Sequence, residues 1–420
     1  MRLPQSARRF LHALGPGIIT GAADDDPSGI TTYSQAGALA GFQLLWTAVF
    51  TTPLMISIQE MCARIGLVTG MGLSGVLRKH YHRSILYVLA IVVTIANTIN
   101  IGADIAGMAE TTHLLVNIPQ WSIAVLYSLV ILCFVLFSSY HMLVRYMKWL
   151  VLALLCYFLV PFTIHIPWHE VWRQTFFPTF TITKEVLLVF VGVLGTTISP
   201  YLFFWQADIE VEDHKNNALK KIQRWIVTKN ELTLMREDVT LGMILSNITM
   251  WFIILTTAVT LFPNGITNIT TAQQAADALR PLVGDAAYLL FMLGIVGTGL
   301  LTIPILAGST SYVLSGAFGW TGGLDKPFHK AKKFYAVIIA STFLGVLMSA
   351  LGISPVHMLL STAVLYGVLA PPLIVIIMHI ANNRDIMKTH TNGFFSNILG
   401  TTTLILMTAA VGLLFYFGLR

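Results

Sequence analysis

Eleven apolar segments recur along this chain, at 11–40, 43–64, 84–112, 121–140, 146–166, 185–206, 238–262, 284–316, 333–351, 355–380 and 395–418. A hydrocarbon core about 30 Å thick needs roughly 20 residues of helix to cross it. Inside it every backbone N–H and C=O must be satisfied within the chain, so repeated segments of this length fold as a helical bundle. The charge content agrees: 10% of the 420 residues are charged and 55% are hydrophobic, whereas about a quarter of a soluble chain is charged. The longest polar stretch, from Ala207 to Glu237, is too short for a domain and reads as a solvated amphipathic linker. One all-α integral membrane domain over 1–420 is therefore expected, with eleven transmembrane helices.

The basic residues orient it. With the N-terminus in the cytoplasm, every Lys and Arg falls on the cytoplasmic side except Arg173, Lys184, Arg280 and Arg420. That set includes Arg2, Arg8, Arg9, Arg145, Lys148 and Arg224. Such asymmetry is what the positive-inside rule demands of a correct span count, and it absorbs the net charge of +6 without a nucleic-acid partner. Arg8 and Arg9 before an apolar run imitate a signal peptide. The run then meets three acids and offers no small-residue cleavage site, so it reads as a first span that stays attached. The localisation expected is a bacterial-type inner membrane, multi-pass, with lipid around it and no obligate protein partner.

Two of the spans are broken. Asp24-Asp25-Asp26-Pro27-Ser28-Gly29 interrupts the first near mid-bilayer. Pro27 removes a donor and clashes with the preceding turn, and Gly29 accepts any backbone angle. A simple helix cap at Asp26 or Ser28 explains neither three successive acids nor their depth, and acids there imply a cavity, a partner or a cation. In the sixth span Gly195-Thr196-Thr197-Ile198-Ser199-Pro200-Tyr201 repeats the device; alone it would read as a proline kink. The breaks lie five spans apart, so the two halves are oppositely oriented. Paired interruptions of that kind point to an inverted-repeat transporter with its site at the midplane. The halves would be 11–166 and 185–380, with 395–418 an extra helix. The donors on offer are the Asp26 carboxylate, Asp25, freed carbonyls and Ser and Thr hydroxyls. These hard oxygens suit Mg²⁺, Mn²⁺ or Ca²⁺.

At these residues the chain resembles the NRAMP family of divalent metal transporters. Gly15-Pro16-Gly17, Asp26-Pro27 and Gln35-Ala36-Gly37 are similar to its first helix, and Leu45-Trp46 with Ala63-Arg64-Ile65-Gly66-Leu67-Val68-Thr69-Gly70 to its second helix and following loop. Ala103-Asp104-Ile105-Ala106 is similar to its third, and Thr196-Thr197-Ile198-Ser199-Pro200 falls at its metal-binding sixth. The resemblance implies a LeuT-type 5+5 inverted repeat plus one helix, with helices 1 and 6 unwound, and a metal site at Asp26, Gly29, Thr196 and Ser199. Asp24, Asp25, Asp104, Tyr201 and Gln206 are outer or coupling candidates, and Pro27, Ser28 and Pro200 form the breaks.

The departures are specific. The family's Asp-Pro-Gly-Asn is Asp26-Pro27-Ser28-Gly29 here, so the Asn ligand becomes Gly29. Its Met-Pro-His is Ser199-Pro200-Tyr201, its third-helix Glu is Gly107, and the ninth span has no internal Arg. These losses are similar to those of the NRAMP-related magnesium transporters. They imply a harder, more hydrated ion and an impaired proton route, with uptake driven by membrane potential. The expected activity is secondary transport of Mg²⁺ or Mn²⁺ by alternating access, with no enzyme activity and no cofactor. The alternatives are a proton-coupled Mn²⁺/Fe²⁺ importer and, from another class, a Na⁺-coupled organic solute carrier. The acid triplet disfavours the latter, because it would repel a substrate carboxylate.

Other residues carry smaller expectations. Asp104 is either hydrogen-bonded to Asn97, Asn100 or a sixth-helix hydroxyl, or acts as an outer or proton residue. Glu60 and Arg64, four apart, form a local ion pair. Gln206 and Asp208 end the sixth span, as vestibule or as solvated helix end. His141, His357 and His379 are isolated packing or interfacial residues. Cys62, Cys133 and Cys156 have no metal-ligand spacing.

Overall fold

The computed structural model describes residues 15–137, 155–179, 181–221, 227–350 and 352–418. The first part of the fifth span, 146–154, lies outside them, as do Arg2, Arg8, Arg9, His141, Arg145, Lys148, Arg224, Arg420 and the side chain of Cys156. The described chain is helical throughout. In order come α1 (Pro16–Asp24), α2 (Pro27–Ala40), α3 (Leu45–Thr69), α4 (Leu73–His80), α5 (Arg83–His113), α6 (Gln120–Phe137), α7 (Leu155–Leu159), α8 (Trp168–Phe176) and α9 (Lys184–Thr197). Then follow α10 (Pro200–Lys221), α11 (Lys229–Thr260), α12 (Ala272–Asp277), α13 (Arg280–Val283), α14 (Ala287–Phe318), α15 (Lys332–Ser349), α16 (Pro355–Asn382), α17 (Arg384–Met387) and α18 (Phe394–Gly418).

Among the described residues, nine helical stretches are long and apolar enough to cross a membrane. Against the expected eleven, the first two spans merge into one stretch, Pro27–Thr69, and of the fifth only 155–166 are described, too short a piece to be counted. The outside of the bundle is apolar, with Val88, Ile91, Ile95, Leu126, Phe343 and Ile405 exposed, while acids are buried within. That inversion of the soluble pattern fits a lipid exterior. Cys133 is among the exposed residues and Cys62 is buried, both as free thiols.

Both predicted breaks are present. Helix α1 stops at Asp24, Asp25 and Asp26 leave helical geometry, and α2 restarts at Pro27 with the Asp26 side chain as its N-cap. Proline at the first helical position has no N–H to orphan, which favours a restart there. Helix α9 ends at Thr197, Ile198 is non-helical (φ −115°, ψ 64°), and α10 restarts at Pro200. Helix α11 packs along α1, α2 and α3; α9 packs on α2, α16 and α18; α5 packs on α14, α15 and α16. The α1–α11 crossing is close because Gly21 meets Gly242 backbone to backbone, where a Cβ on either would collide. Small residues allow helices in lipid this approach.

The first part of the 207–237 stretch corrects the sequence reading: α10 runs on to Lys221 and buries Ala207, Ile209, Glu210, Val211, Glu212 and His214. Its described end is amphipathic and largely exposed, with Leu232 and Met235 buried among exposed neighbours. Glu212 accepts hydrogen bonds from the Tyr312 hydroxyl (2.5 Å) and the Leu324 (3.0 Å) and Asp325 (3.2 Å) amides. Polar composition here reflects partners on a distant loop. Helix α11 begins at Lys229, before the expected 238, with a Thr228–Glu231 capping box. Gln206 is fully buried rather than a solvated end, and Asp208 packs against Gly72 with one carboxylate oxygen buried and unpartnered. The Glu60–Arg64 pair is present at 3.0 Å and extends to Arg236, the His390 carbonyl and Asn392. His357 is exposed, and His379, also exposed, bonds the Tyr81 hydroxyl.

Candidate metal site

The first break concentrates negative charge in the bundle interior. Asp24, Asp25 and Asp26 are 1%, 3% and 2% exposed, and Asp104, on α5, is 0% exposed. No ion pair among the described residues involves any of the four. An ionised carboxylate taken out of water without compensation costs several kcal/mol. Four of them, with no basic side chain to answer, need cations or protons.

Their hydrogen bonds are unequal. Asp26 is well held: Oδ1 accepts from the Gly29 amide (2.6 Å) and the Ser28 hydroxyl (2.8 Å), and Oδ2 from Asn100 Nδ2 (3.0 Å). Asp24 Oδ2 and Asp25 Oδ1 face the same Ser246 hydroxyl on α11, at 2.8 and 3.4 Å. A hydroxyl has one proton to donate, so Ser246 serves one of the two at a time; Thr249 also approaches Asp25, while Asp24 Oδ1 has no partner at all. Neither oxygen of Asp104 is hydrogen-bonded; the Ser28 amide approaches it outside bonding geometry. The expected bonds from Asn97, Asn100 or a sixth-helix hydroxyl are absent. Asn100 is engaged by Asp26, and Asn97 donates to Thr310 (3.1 Å) and accepts from Tyr366 (3.0 Å).

The second break is equally enclosed, with Thr196 and Ser199 each 2% exposed. The Ser199 hydroxyl folds back onto the Thr196 and Gly195 carbonyls, leaving its own lone pairs and the second lone pair of the Thr196 carbonyl. Gly29 behaves differently from the other predicted ligand positions: its contribution is an N–H to Asp26, and it has no side-chain oxygen. Two tyrosines join the breaks. Tyr201, just past Pro200, donates to the Ala23 carbonyl at 2.8 Å, and the Tyr33 hydroxyl meets Thr197 Oγ1 at 3.3 Å. Thr302 on α14 also reaches Ala23 (3.3 Å).

Below the break, Thr20 donates to Gln206 at 2.5 Å, Gln206 donates to Glu210 at 2.8 Å, and Asp238 caps α1 by accepting from Gly15 (3.1 Å) and Gly17 (2.6 Å). At the far end, Gln35 grips the Thr267 carbonyl (2.9 Å) and the Ile269 amide (2.8 Å). Tyr33, Asn100, Ser246, Thr302 and Tyr366 were not among the predicted site residues. Asn100 had a signal, standing one helical turn before Asp104 on the same face. Ser246 and Thr302 are ordinary polar residues in apolar helices, and only the fold reveals them.

Among the described residues, no three His, Cys, Asp or Glu side chains form a metal-holding group by themselves. An ion at these breaks would therefore draw on carbonyl, hydroxyl and amide oxygens beside carboxylates. That is the mixed donor set of a hard cation.

Comparison with known proteins adds an independent line. A family model described as natural resistance-associated macrophage protein-like (Nramp) matches residues 17–417. The chain is 24% identical to the divalent metal cation transporter MntH of Caldanaerobacter subterraneus subsp. tengcongensis, over 98% of this chain and 94% of that one. It is also 24% identical to MntH of Klebsiella pneumoniae (strain 342), over 97% and 95%. A crystal structure of the Eremococcus coleocola manganese transporter, in complex with an aromatic bis-isothiourea substituted compound, superposes with a TM-score of 0.74 at 16% identity, covering 98% of this chain and 87% of that one. Mhp1, a nucleobase-cation-symport-1 family transporter, gives 0.52 at 13% identity, covering 95% and 92%. These likenesses are of fold.

Proposed function

The chain belongs to the natural resistance-associated macrophage protein-like (Nramp) family, and from that premise we propose that it carries a divalent metal cation, Mg²⁺ or Mn²⁺ in preference, across a bacterial-type inner membrane by alternating access. The observation that carries this reading is the set of four buried carboxylates, without basic partners, at and beside paired helix breaks. Asp26, the Thr196 carbonyl and Ser199 are the proposed ligands, with Asp24, Asp25 and Asp104 supplying attraction. The names of the MntH relatives and of the manganese transporter support a divalent substrate.

The selectivity argument is chemical. Ser199 offers oxygen where the family places a thioether, so the donor set favours a hard, partly hydrated ion. Tyr201 stands in the usual His position and Gly107 in that of the Glu, which weakens coupling to protons. A dication then gains about 4.6 kcal/mol per 100 mV from the membrane potential. In the proposed topology of eleven spans, with the N-terminus cytoplasmic and repeats over 11–166 and 185–380, the cytoplasmic gate opens when α1 leaves α10 and α11. The Thr20–Gln206 and Asp238 contacts would break together. The outer gate opens when Gln35 releases the loop at 267–269.

One observation favours the second reading, a proton-coupled Mn²⁺/Fe²⁺ importer: Asp24 and Asp25 converge on the Ser246 hydroxyl, an arrangement suited to holding one proton between them. Uptake into proteoliposomes with Mg²⁺, Mn²⁺ and Ca²⁺ in competition, with internal pH followed, separates the two. The first reading predicts that Mg²⁺ competes with Mn²⁺ and that internal pH is unchanged. Mn²⁺ uptake indifferent to excess Mg²⁺ and accompanied by acidification would support the second.

A further inference from the structure

We infer that Asn100, on α5, supplies to the cation site the amide oxygen that position 29 cannot, and that Asp104, one turn further along, adds a carboxylate from the same helix. The inference rests on the functional reading above and names ligands which that reading leaves out.

Position 29 has no side chain, and one added there would be tightly confined. A Cβ built on Gly29 would lie 3.0 Å from the Asp24 carbonyl oxygen and 3.3 Å from Asp26 Oδ1, tighter than ordinary van der Waals contact. The same glycine's amide holds Asp26 Oδ1 at 2.6 Å, so backbone and carboxylate are already drawn together there. An amide ligand has to come from another element.

Asn100 meets the requirement. It is fully buried, and its Nδ2 donates to Asp26 Oδ2 at 3.0 Å. Its orientation follows from chemistry, since the flipped amide would set oxygen against carboxylate. Oδ1 sits on the same planar amide as Nδ2, and it has no hydrogen-bond partner. A buried amide oxygen left unsatisfied costs about 1–3 kcal/mol, an arrangement a cation would relieve. Asp104, four residues on, repeats the pattern with both oxygens unpartnered and 0% exposed.

The helix is fixed in rotation. Asn97, three residues before Asn100, is held on both sides of its amide by Thr310 and Tyr366, and α5 packs on α14, α15 and α16. The two donors thus stand on an unbroken, braced helix facing the broken one. A cation between them would meet Asp26, Asn100 and Asp104 oxygens with a freed carbonyl, leaving positions for water. That is how Mg²⁺ and similar hard ions are held.

The test is Mn²⁺ and Mg²⁺ binding by calorimetry to the purified full chain, with Asn100→Ala, Asn100→Asp and Asp26→Ala. Thermal unfolding without metal serves as the check on folding. Asn100→Ala is expected to raise the dissociation constant for both ions by roughly 10–100-fold. Asn100→Asp keeps an oxygen while losing the N–H to Asp26, and is expected to retain binding. Equal loss in both variants would mean that Asn100 only tethers Asp26, and would overturn the inference. So would parental binding by Asn100→Ala when Asp26→Ala has none. Parental binding by Asp26→Ala would instead refute the functional reading on which the inference rests.

Discussion

Tyr201 donates a 2.8 Å hydrogen bond to the carbonyl of Ala23, so the residue that follows one helix break closes over the backbone opened by the other. Both residues are buried. The two interruptions therefore form one structure: Pro200 frees the start of α10, and its second residue occupies an acceptor that the end of α1 leaves open. Tyr201→Phe removes the donor and keeps the ring, which packs on Tyr366 with centroids 5.6 Å apart. The expected loss of stability is about 1 kcal/mol, read as a lower thermal midpoint in detergent. An unchanged midpoint would mean that Thr302 alone satisfies Ala23.

Asp26 is both the cap of α2 and the proposed ligand, and two substitutions separate the roles. Asp26→Asn retains an oxygen able to cap, since Asn and Asp rank alike at this position, but it lacks the charge. Asp26→Ala lacks both. Metal uptake into proteoliposomes is expected to fall to the level of empty vesicles in both, with Asp26→Asn the more stable by about 1 kcal/mol. Parental uptake by Asp26→Asn would show that charge at this position is dispensable.

Ser199 offers a change of specificity. Ser199→Met places a thioether at the second break, and soft donors favour later transition metals and Cd²⁺ over Mg²⁺. The expected outcome is a shift of about tenfold, or about 1.4 kcal/mol, in the ratio of Mn²⁺ to Mg²⁺ uptake. An unchanged ratio, with the variant folded and active, would place Ser199 outside the ligand set.

Asp238 fixes α1 from the neighbouring α11 by accepting from the Gly15 and Gly17 amides. Asp238→Ala leaves these N–H groups without a cap, at a cost of about 1–2 kcal/mol to the closed arrangement. A cysteine introduced at Thr20, which otherwise bonds Gln206, should then be modified faster by a water-soluble thiol reagent than in the Asp238-containing background. Equal rates would mean that α1 is held by its glycine contacts with α11 alone.

Much of the architecture could be read from the chain because its signals are local. Twenty-residue apolar segments announce helices, and proline beside small or acidic residues announces the breaks at Asp26 and Pro200. What escaped depends on partners far away in sequence. The 207–237 stretch looks solvated by composition, yet Glu212 is buried because Tyr312 and the Leu324 and Asp325 amides come to it. Asp104 reads either as a partner of Asn97, Asn100 or a sixth-helix hydroxyl or as an outer or proton residue; the Asn100 N–H goes to Asp26 instead. The pairing of Asp24 and Asp25 on Ser246 has no trace in spacing, because it depends on how α11 crosses the first break.

The most direct test is a crystal structure of the protein with bound Mn²⁺, located by its anomalous scattering. The account predicts a single strong peak between the two breaks, within coordination distance of Asp26 and the Thr196 carbonyl and absent from Asp26→Ala crystals. A well-occupied peak elsewhere, with Asp26 and Thr196 free of metal, would contradict it.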